Sequence, residues 1–171
     1  MKIKLMPHKG VEIEGNFIGL GVDVNSIIKN YVFDKYDNIY YLYDNNVHIE
    51  TDRNKICAIM CCIDAESPIE LLYDGQCISR LEVDTVLEIM NKSLKEDAVI
   101  LEEGHTYIWK NHDVCCGRDK TPNDIEEIIC ESKRDGVYEE MLEEISRDIE
   151  DSKYFTTICI GIEGCYKSIS L

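Results

Sequence analysis

The sequence predicts an α+β fold in which antiparallel β-meanders pack against helices. Apolar residues alternate with a period of two at 39–63 and 98–116, as in strands, and recur at helical spacing at 81–94 and 121–150. Within the first of these stretches, clusters of Asp and Asn separate three β-rich runs. These residues tolerate positive φ and bond to their own backbone, so they favour tight hairpins and antiparallel pairing.

Composition restricts the class of protein. The chain has 171 residues, 44% of them hydrophobic, which predicts a single domain over 1–171. No apolar run approaches the roughly 20 residues that span a bilayer, and Met1 to Pro7 lack the features of a signal peptide, so a cytoplasmic protein is expected. The formal charge of −16 disfavours binding to nucleic acid or to anionic membranes and favours a basic protein as partner.

The N-terminal part is predicted to contain two short strands, at 2–6 and 11–14, joined by a turn at 7–10. The glycines that follow lack the spacing of a nucleotide-binding loop and are interpreted as structural glycines at a strand-to-helix turn. A first helix is predicted over 23–31, because its apolar residues fall at helical spacing, and a polar loop is predicted over 34–38.

The stretch 39–63 is predicted to form a three-stranded meander. Its third run, 55–63, is apolar at both alternating sets of positions, with Ile56 on one face and Ile59 on the other. Strands that are apolar on both faces are buried on both sides. The third run is therefore expected to be a central strand.

The second half is predicted to repeat this order of elements. Thr157 to Gly161 resembles Lys55 to Ile59 in pattern and supplies a late last strand. Two pseudo-repeats of the order αβββ are therefore expected, at 11–66 and 69–171, the second with a helical insertion at 121–152. The alternative is that two α+β halves look alike by chance. The other elements predicted for the second half are a strand at 69–73, a helix at 81–94, and strands at 98–101, 106–110 and 113–116.

The first unit resembles a bacterial pattern. It combines Ile18-Gly19-Leu20-Gly21 and a short helix with three strands, Tyr41-Leu42-Tyr43, Val47-His48-Ile49-Glu50-Thr51-Asp52 and Lys55-Ile56-Cys57-Ala58-Ile59. This part of the chain is similar to the BamE/SmpA-type small α+β module, and to cytoplasmic or immunity-type proteins built from such units. The resemblance implies a compact binding scaffold without catalytic residues. Outer-membrane lipoproteins of that family carry a lipobox cysteine, which is missing here, so their membrane role is not expected.

Acidic residues are concentrated in the insertion. Thr121-Pro122-Asn123-Asp124 predicts a helix start, because it provides an N-cap, a proline at the first helical position and an acid at the third. From Thr121 to Ser152 there are twelve Asp or Glu and three Lys or Arg, so −9 of the charge of −16 lies here. A second helix is expected after Gly136. Its outer face is predicted to carry Glu139, Glu140, Glu143, Glu144, Asp148, Glu150 and Asp151.

This acidic face has two interpretations. It is either a solvated face that keeps the protein in solution or a recognition surface for a cationic partner. Clustered carboxylates accelerate association by electrostatic steering, and immunity proteins that block basic nuclease toxins are commonly acidic for this reason. The residues predicted to bind the partner are Glu139, Glu140, Glu143, Glu144 and Asp148.

A metal or catalytic site is the other possibility, with His105, His112, Cys115 and Cys116 as its candidates. Imidazole and thiolate are zinc ligands. The spacing is unfavourable, however, because adjacent residues of a strand point to opposite faces. A cysteine nucleophile would also need a histidine base and a positive neighbour that lowers its pKa.

The nine cysteines are odd in number, and several lie inside apolar strands. They are expected to be reduced, mostly buried, and packed as small hydrophobic residues.

Taken together, these features predict a non-catalytic protein-binding module, of which an immunity protein that neutralises a basic toxin is one form. No cofactor or metal is expected, and the sequence does not indicate an oligomeric state. The alternative is a small metal-binding or cysteine-dependent enzyme that uses the His105, His112, Cys115 and Cys116 set. If the acidic face is not the contact surface, the meander surface around Tyr40, His48 and Glu50 is the next candidate.

Overall fold

The computed structural model describes residues 1–63 and 67–167. It confirms the α+β class, because two sheets, both rich in antiparallel pairs, are combined with helices. Within the described residues, no helix is both long and apolar enough to cross a membrane.

The smaller sheet has five strands. They are β1 (Lys2–Met6), β2 (Gly10–Ile13), β3 (Asn16–Gly19), β8 (Glu70–Tyr73) and β9 (Gln76–Cys77). Their order is β3-β2-β1-β8-β9. The pair β1 and β8 is parallel, and the other three pairs are antiparallel. This sheet therefore joins the N-terminal strands to the start of the second half.

The larger sheet has eight strands, all paired antiparallel. They are β4 (Phe33–Tyr36), β5 (Ile39–Leu42), β6 (Val47–Asp52), β7 (Lys55–Cys62), β10 (Val99–Leu101), β11 (Thr106–Trp109), β12 (Val114–Gly117) and β13 (Thr157–Gly161). Their order is β10-β11-β12-β13-β7-β6-β5-β4. The predicted meander at 39–63 is confirmed as β5, β6 and β7, and β7 is a central strand as expected.

Three α-helices complete the described structure: α1 (Val83–Leu94), α2 (Pro122–Asp135) and α3 (Tyr138–Asp151). The predicted start of α2 is confirmed, because the Thr121 hydroxyl accepts the Asp124 N–H while the Asp124 carboxylate accepts the Thr121 N–H. This capping box satisfies backbone donors that the first turn leaves unpaired. Gly136, with φ of 76°, ends α2 in the left-handed conformation that glycine adopts without strain.

The main core is one cluster of buried side chains from both sheets and α1. Ile3 and Leu71 come from the smaller sheet, Ile59 and Ile158 from the larger sheet, and Met90 from α1, and all five are fully buried. The helices α2 and α3 pack on each other. Their buried residues therefore form a separate, smaller apolar contact outside the main core.

The first predicted helix is wrong. The segment 23–31 forms two short 3₁₀ turns, Val24–Ser26 and Ile28–Asn30. The Asp23 side chain caps the first turn, and no side chain caps the second. The predicted loop at 34–38 is also wrong in part. Its residues 34–36 belong to the edge strand β4, whose four residues are all exposed, so no apolar alternation marks this strand in the sequence.

A β-bulge corrects the predicted faces of β7. The pairing of β6 with β7 changes register between Glu50 and Thr51. The extra residue on β7 brings Ile56 to the same face as Ile59, and both are fully buried in the main core. The opposite face of the strand is only half-buried at Cys57, Met60 and Cys62, so it is not covered as the main-core face is.

The larger sheet consists of two halves with the same strand order. From the middle pair β7 and β13 outward, β6, β5 and β4 follow on one side and β12, β11 and β10 on the other. Each half thus contains four described strands, one more than the αβββ order of the predicted repeats. In the second half all four were predicted individually, whereas β4 was missed in the first half. A duplication of 11–66 and 69–171 stays a prediction, and positions 64–66 and 168–171 of these ranges lie outside the described residues.

One row of directly opposite residues crosses all eight strands on the face away from the main core, and it is called the central row below. Its members are Val99, Ile108, Cys115, Cys159, Met60, His48, Tyr41 and Asp34.

Candidate functional site

The acidic insertion is attached to the larger sheet by polar contacts at its base. Arg118 donates to the Gly104 carbonyl at 2.7 Å, to the Ser152 carbonyl at 3.0 Å and to the Tyr107 hydroxyl at 3.2 Å. Since Arg118 follows β12 and Ser152 ends α3, one guanidinium holds together the two ends of the insertion. The His105 imidazole adds a contact to the Asp124 carboxylate at 3.1 Å, at the start of α2.

The inner face of α3 includes one residue that the sequence placed on the outer face. Asp148 is buried and forms an ion pair with Lys120, so the prediction that it belongs to the exposed acidic surface is wrong. The reason is helical geometry, because Asp148 lies three positions after the buried Ile145 and therefore shares its face. The ion pair holds α3 to the segment that leads from β12 into α2, so Asp148 is not available to a partner.

The outer face of α3 presents the other four predicted residues. Glu139, Glu140, Glu143 and Glu144 are all exposed. Glu143 has a weak ion pair with Arg147, at 3.9 Å, whereas no cation of the described residues pairs with the other three. We call these four glutamates the acidic face. Its carboxylates are free to attract a cation, because hardly any of their charge is neutralised locally.

Two apolar side chains of α3 are exposed beside the acidic face. Leu142 is 39% exposed and Ile149 is 42% exposed. They lie seven positions apart, so they share one side of α3.

Charge effects at the two helix ends are local. Hydrogen bonds from Lys153 and Tyr154 lower the pKa of the exposed Glu150 carboxyl. Bonds from the Thr121 hydroxyl and backbone, reinforced by His105, lower the pKa of Asp124. Both groups are therefore ionised at neutral pH, and both add to the negative charge of the insertion.

The four candidate metal or catalytic residues are not brought together. His105 precedes β11 and contacts Asp124, whereas His112 follows β11 and contacts the Leu94 carbonyl at 2.9 Å. The two histidines thus lie at opposite ends of one strand. Cys116 points into the main core and Cys115 to the other face. Among the described residues, no three His, Cys, Asp or Glu side chains could hold a metal ion.

Two open clefts on the described surface also lack these four residues. One, of about 470 Å³, is lined by Asp74, Gln76, Glu88, Ile89, Lys92 and Ser93. The other, of about 390 Å³, is lined by Ile63, Arg80, Glu150, Asp151 and Tyr154. In the first cleft the Ser93 hydroxyl donates to the Asp74 carboxylate at 3.4 Å, and neither cleft contains a histidine or a cysteine.

The alternative surface around Tyr40, His48 and Glu50 is changed by the structure. Tyr40 is buried in the main core at 5% exposure, so it cannot contact a partner. The outward ring is that of Tyr41, which lies edge-on to His48 with 4.7 Å between ring centroids. This pair belongs to the polar end of the central row.

The expectation that the cysteines are mostly buried is wrong. Of the nine, Cys61 and Cys116 are buried, four are half-buried and three are exposed. The half-buried ones are Cys57, Cys62, Cys115 and Cys159, which lie on β7, β12 and β13. Apolar alternation in the sequence did not reveal that one face of the larger sheet is only partly covered.

Comparison with protein-family models, curated proteins and solved structures gives no match to this chain.

Proposed function

We propose that the protein is a non-catalytic, cytoplasmic binding module whose acidic face, on α3, contacts a basic protein. An immunity protein that neutralises a basic toxin is the form of this function that the acidic composition and the αβββ-like units favour. One observation carries the proposal: Glu139, Glu140, Glu143 and Glu144 are exposed together on a helical hairpin that projects from one loop of the sheet, almost without cations to neutralise them.

The chemistry of this surface suits rapid recognition. Like-signed carboxylates on one helix raise the local concentration of a basic partner and increase its association rate. The exposed Leu142 and Ile149 add apolar area, which interfaces use for affinity once the partner has docked. Because Asp148 and Arg118 fix the hairpin to the sheet, the surface is held in place before the partner arrives.

The test begins with affinity capture from the source cells, followed by stopped-flow association with the recovered partner. In one variant, Glu139, Glu140, Glu143 and Glu144 are all changed to Lys. A matched control changes four exposed acids outside the insertion, Asp34, Asp52, Glu88 and Asp97, to Lys. Each substitution adds two positive charges, so both variants move from −16 to −8 and differ only in where the charge changes.

The α3 variant is expected to associate at least tenfold more slowly than the control variant at low salt, and the difference should diminish above roughly 0.1 M salt, where the screening length falls to about 10 Å. Circular dichroism should be unchanged in both. Equal rates in the two variants would mean that only the overall charge matters, and the proposal for the acidic face would then be rejected.

A further inference from the structure

The central row contains a pair of cysteines that are direct cross-strand partners. Cys115 on β12 lies opposite Cys159 on β13. No other two cysteines lie opposite each other in the described strand pairings, because each of the other paired cysteines faces a residue that is not cysteine. Their neighbours in sequence, such as Val114 and Ile160, point into the main core, so both thiols lie on the opposite face of the sheet.

The backbone geometry brings these two residues to the distance of a disulfide. In the register of β12 and β13, Asp113 lies opposite Gly161, and the Gly161 N–H donates to the Asp113 carbonyl at 2.8 Å. Hydrogen-bonded pairs alternate along an antiparallel ladder, so Cys115 and Cys159, two positions away, also form a hydrogen-bonded pair. In such pairs the Cα atoms are about 5.5 Å apart, inside the range of about 4.4–6.8 Å found across disulfides.

A disulfide at this position would be strained. Cβ atoms of directly opposite residues are about 4.5–5.5 Å apart, whereas a disulfide has a mean of about 3.8 Å between them. Closing the bond must therefore pull β12 and β13 together locally. Strained disulfides have more oxidising potentials and are reduced more readily than structural ones. The geometry thus suits a reversible bond and not a permanent crosslink.

The segment 162–167 covers this pair of thiols. The Asp113 side chain is fully buried and accepts the N–H of Gly164 at 2.9 Å and that of Tyr166 at 3.1 Å. The Tyr166 side chain lies close enough to Cys159 to affect the pKa of its thiol. A buried carboxylate therefore holds a tyrosine over the cysteines, which limits the access of reagents to them.

Burial also keeps both groups protonated. It raises the pKa of Cys115 to about 12 and that of Cys159 to about 11, and the Tyr166 hydrogen bond partly opposes the shift at Cys159. Since the thiolate is the nucleophile, both thiols react slowly while the segment is in place. Any opening of the segment that lets in water favours ionisation of these thiols.

We propose that Cys115 and Cys159 form a redox-active dithiol that hydroperoxides oxidise to a cross-strand disulfide, at a rate limited by the segment 162–167. The Cys159 thiolate attacks the peroxide and becomes a sulfenic acid, releasing one molecule of alcohol or water. The Cys115 sulfur then attacks the sulfenic sulfur and displaces water. The two sulfurs lose two electrons to the peroxide, and their two protons end in the released molecules. The new bond joins the strands on either side of the acidic insertion.

The test uses reduced, full-length protein and hydrogen peroxide as the oxidant. At intervals the sample is denatured, its free thiols are alkylated, and intact mass and peptide maps are recorded. Before oxidation we expect nine alkylated cysteines, the number in the sequence. Afterwards the mass should show two fewer alkylated groups and a single Cys115–Cys159 bond. Dithiothreitol should restore the starting mass without unfolding the protein.

Variants separate this pair from the other thiols. Cys115→Ser and Cys159→Ser should each abolish the bond, and circular dichroism checks that they fold. Cys77→Ser, at an exposed position, should leave it unchanged. Tyr166→Ala removes the covering ring from a half-buried position and should speed oxidation severalfold.

Four results would overturn the proposal. They are a bond mapped to Cys165 instead of Cys115, a bond that persists in Cys115→Ser, a bond that resists dithiothreitol in the folded protein, and oxidation of single cysteines to sulfinic acid without a bond. An unchanged rate in Tyr166→Ala would overturn the role of the segment.

Discussion

The two halves of the larger sheet share strand order and register but differ in what their outer face carries. The central row makes the comparison residue by residue. In the first half it holds Asp34, Tyr41, His48 and Met60, and in the second half, at the corresponding strand positions, Val99, Ile108, Cys115 and Cys159. The same backbone pattern thus presents a largely polar surface on one side and an apolar, covered one on the other.

Burial follows this chemistry. Ile108 is 1% exposed although it lies outside the main core, whereas Tyr41 and His48, in the first half, are half-exposed. In an antiparallel sheet one face can remain solvated if its side chains are polar. The backbone ladder therefore fixes the architecture, while the outward residues decide which half needs a covering segment.

The connections differ in the same way. In the first half, β6 and β7 are joined by the tight turn at Arg53 and Asn54, and in the second half β12 and β13 are joined by the whole acidic insertion. A long excursion between two paired strands is tolerated because loop-closure entropy grows only slowly with length. The four predictions below test how far the equivalence of the halves extends.

The largest effect is expected in the core, where the halves should behave alike. Ile59 on β7 and Ile158 on β13 occupy equivalent positions, and both are fully buried in the main core. We expect Ile59→Ala and Ile158→Ala to lower the free energy of unfolding by similar amounts, about 2–5 kcal/mol each, because each leaves a cavity. Urea denaturation measures both values.

Ile100→Ala provides the control, because Ile100 is 57% exposed on the edge strand β10 and should cost less than about 0.5 kcal/mol. A difference above about 2 kcal/mol between the two core variants would show that one half carries the stability, and the comparison would then hold for topology alone.

The sequence predicted the elements with strong periodicity and missed those without it. The meander at 39–63 and the helix at 81–94 have apolar stripes that only a core explains, and both are present. β4 has four exposed residues and is an edge strand, so its sequence looks like a loop. The segment 23–31 has helical spacing, but a stripe of that length does not decide between one α-helix and two 3₁₀ turns.

The candidate site was predictable to a similar degree. Charge clustering identified Glu139, Glu140, Glu143 and Glu144, whose exposure depends only on the position of the apolar stripe. Helical spacing from Ile145 places Asp148 on the buried face, but its partner Lys120 lies outside the helix, so the sequence did not show that a charge could be accommodated there. The cross-strand register of Cys115 and Cys159 could not be read from the sequence, because a long insertion separates the two strands.

The next effect concerns the segments that follow the two central strands. Asp113 and Asn46 precede β12 and β6 at equivalent positions. The Asp113 side chain accepts hydrogen bonds from the backbone after β13, and the Asn46 side chain accepts one from Ser67, after β7. Asp113→Ala leaves two N–H groups without their acceptor and should cost about 1–3 kcal/mol. Asn46→Ala, at a half-exposed position, should cost less. Thermal unfolding compares the two variants.

Asp113→Asn is the control, because Asn tolerates the left-handed backbone at this position, with φ of 51°, and keeps one acceptor oxygen. It should lose less stability than Asp113→Ala. If Asn46→Ala lost more stability than Asp113→Ala, the idea that the second half depends more on its covering segment would be contradicted.

A smaller effect is expected at the start of the insertion. Thr121→Ala or Asp124→Asn disrupts the capping box of α2 and should cost about 0.5–2 kcal/mol. The pKa of Asp124 is lower in the folded protein than its ordinary value, so its contribution is present above that ordinary value and is lost as the pH falls through the folded pKa. The difference in the free energy of unfolding between wild type and Asp124→Asn should therefore shrink below about pH 4.

Urea titrations at several pH values measure this difference. A difference that stays constant down to low pH would mean that the Asp124 charge makes no contribution. A loss several times larger than expected would indicate that the sheet cannot form without α2, and the two halves would then not be independent of their connections.

The smallest effect should follow from reversing the acidic face itself. Changing Glu139, Glu140, Glu143 and Glu144 to Lys should alter the free energy of unfolding by no more than about 1 kcal/mol, since surface charges contribute little. Two contributions oppose each other. Glu139 and Glu140 stabilise the first turn of α3 through the helix dipole, whereas all four repel other acids in a chain of charge −16. High salt screens both contributions, so the variant and wild type should converge in urea denaturation as salt rises.

A loss above about 2 kcal/mol would mean that the outer face of α3 is part of the packed structure. The insertion would then belong to the core of the second half, and its glutamates would not be free to bind a partner.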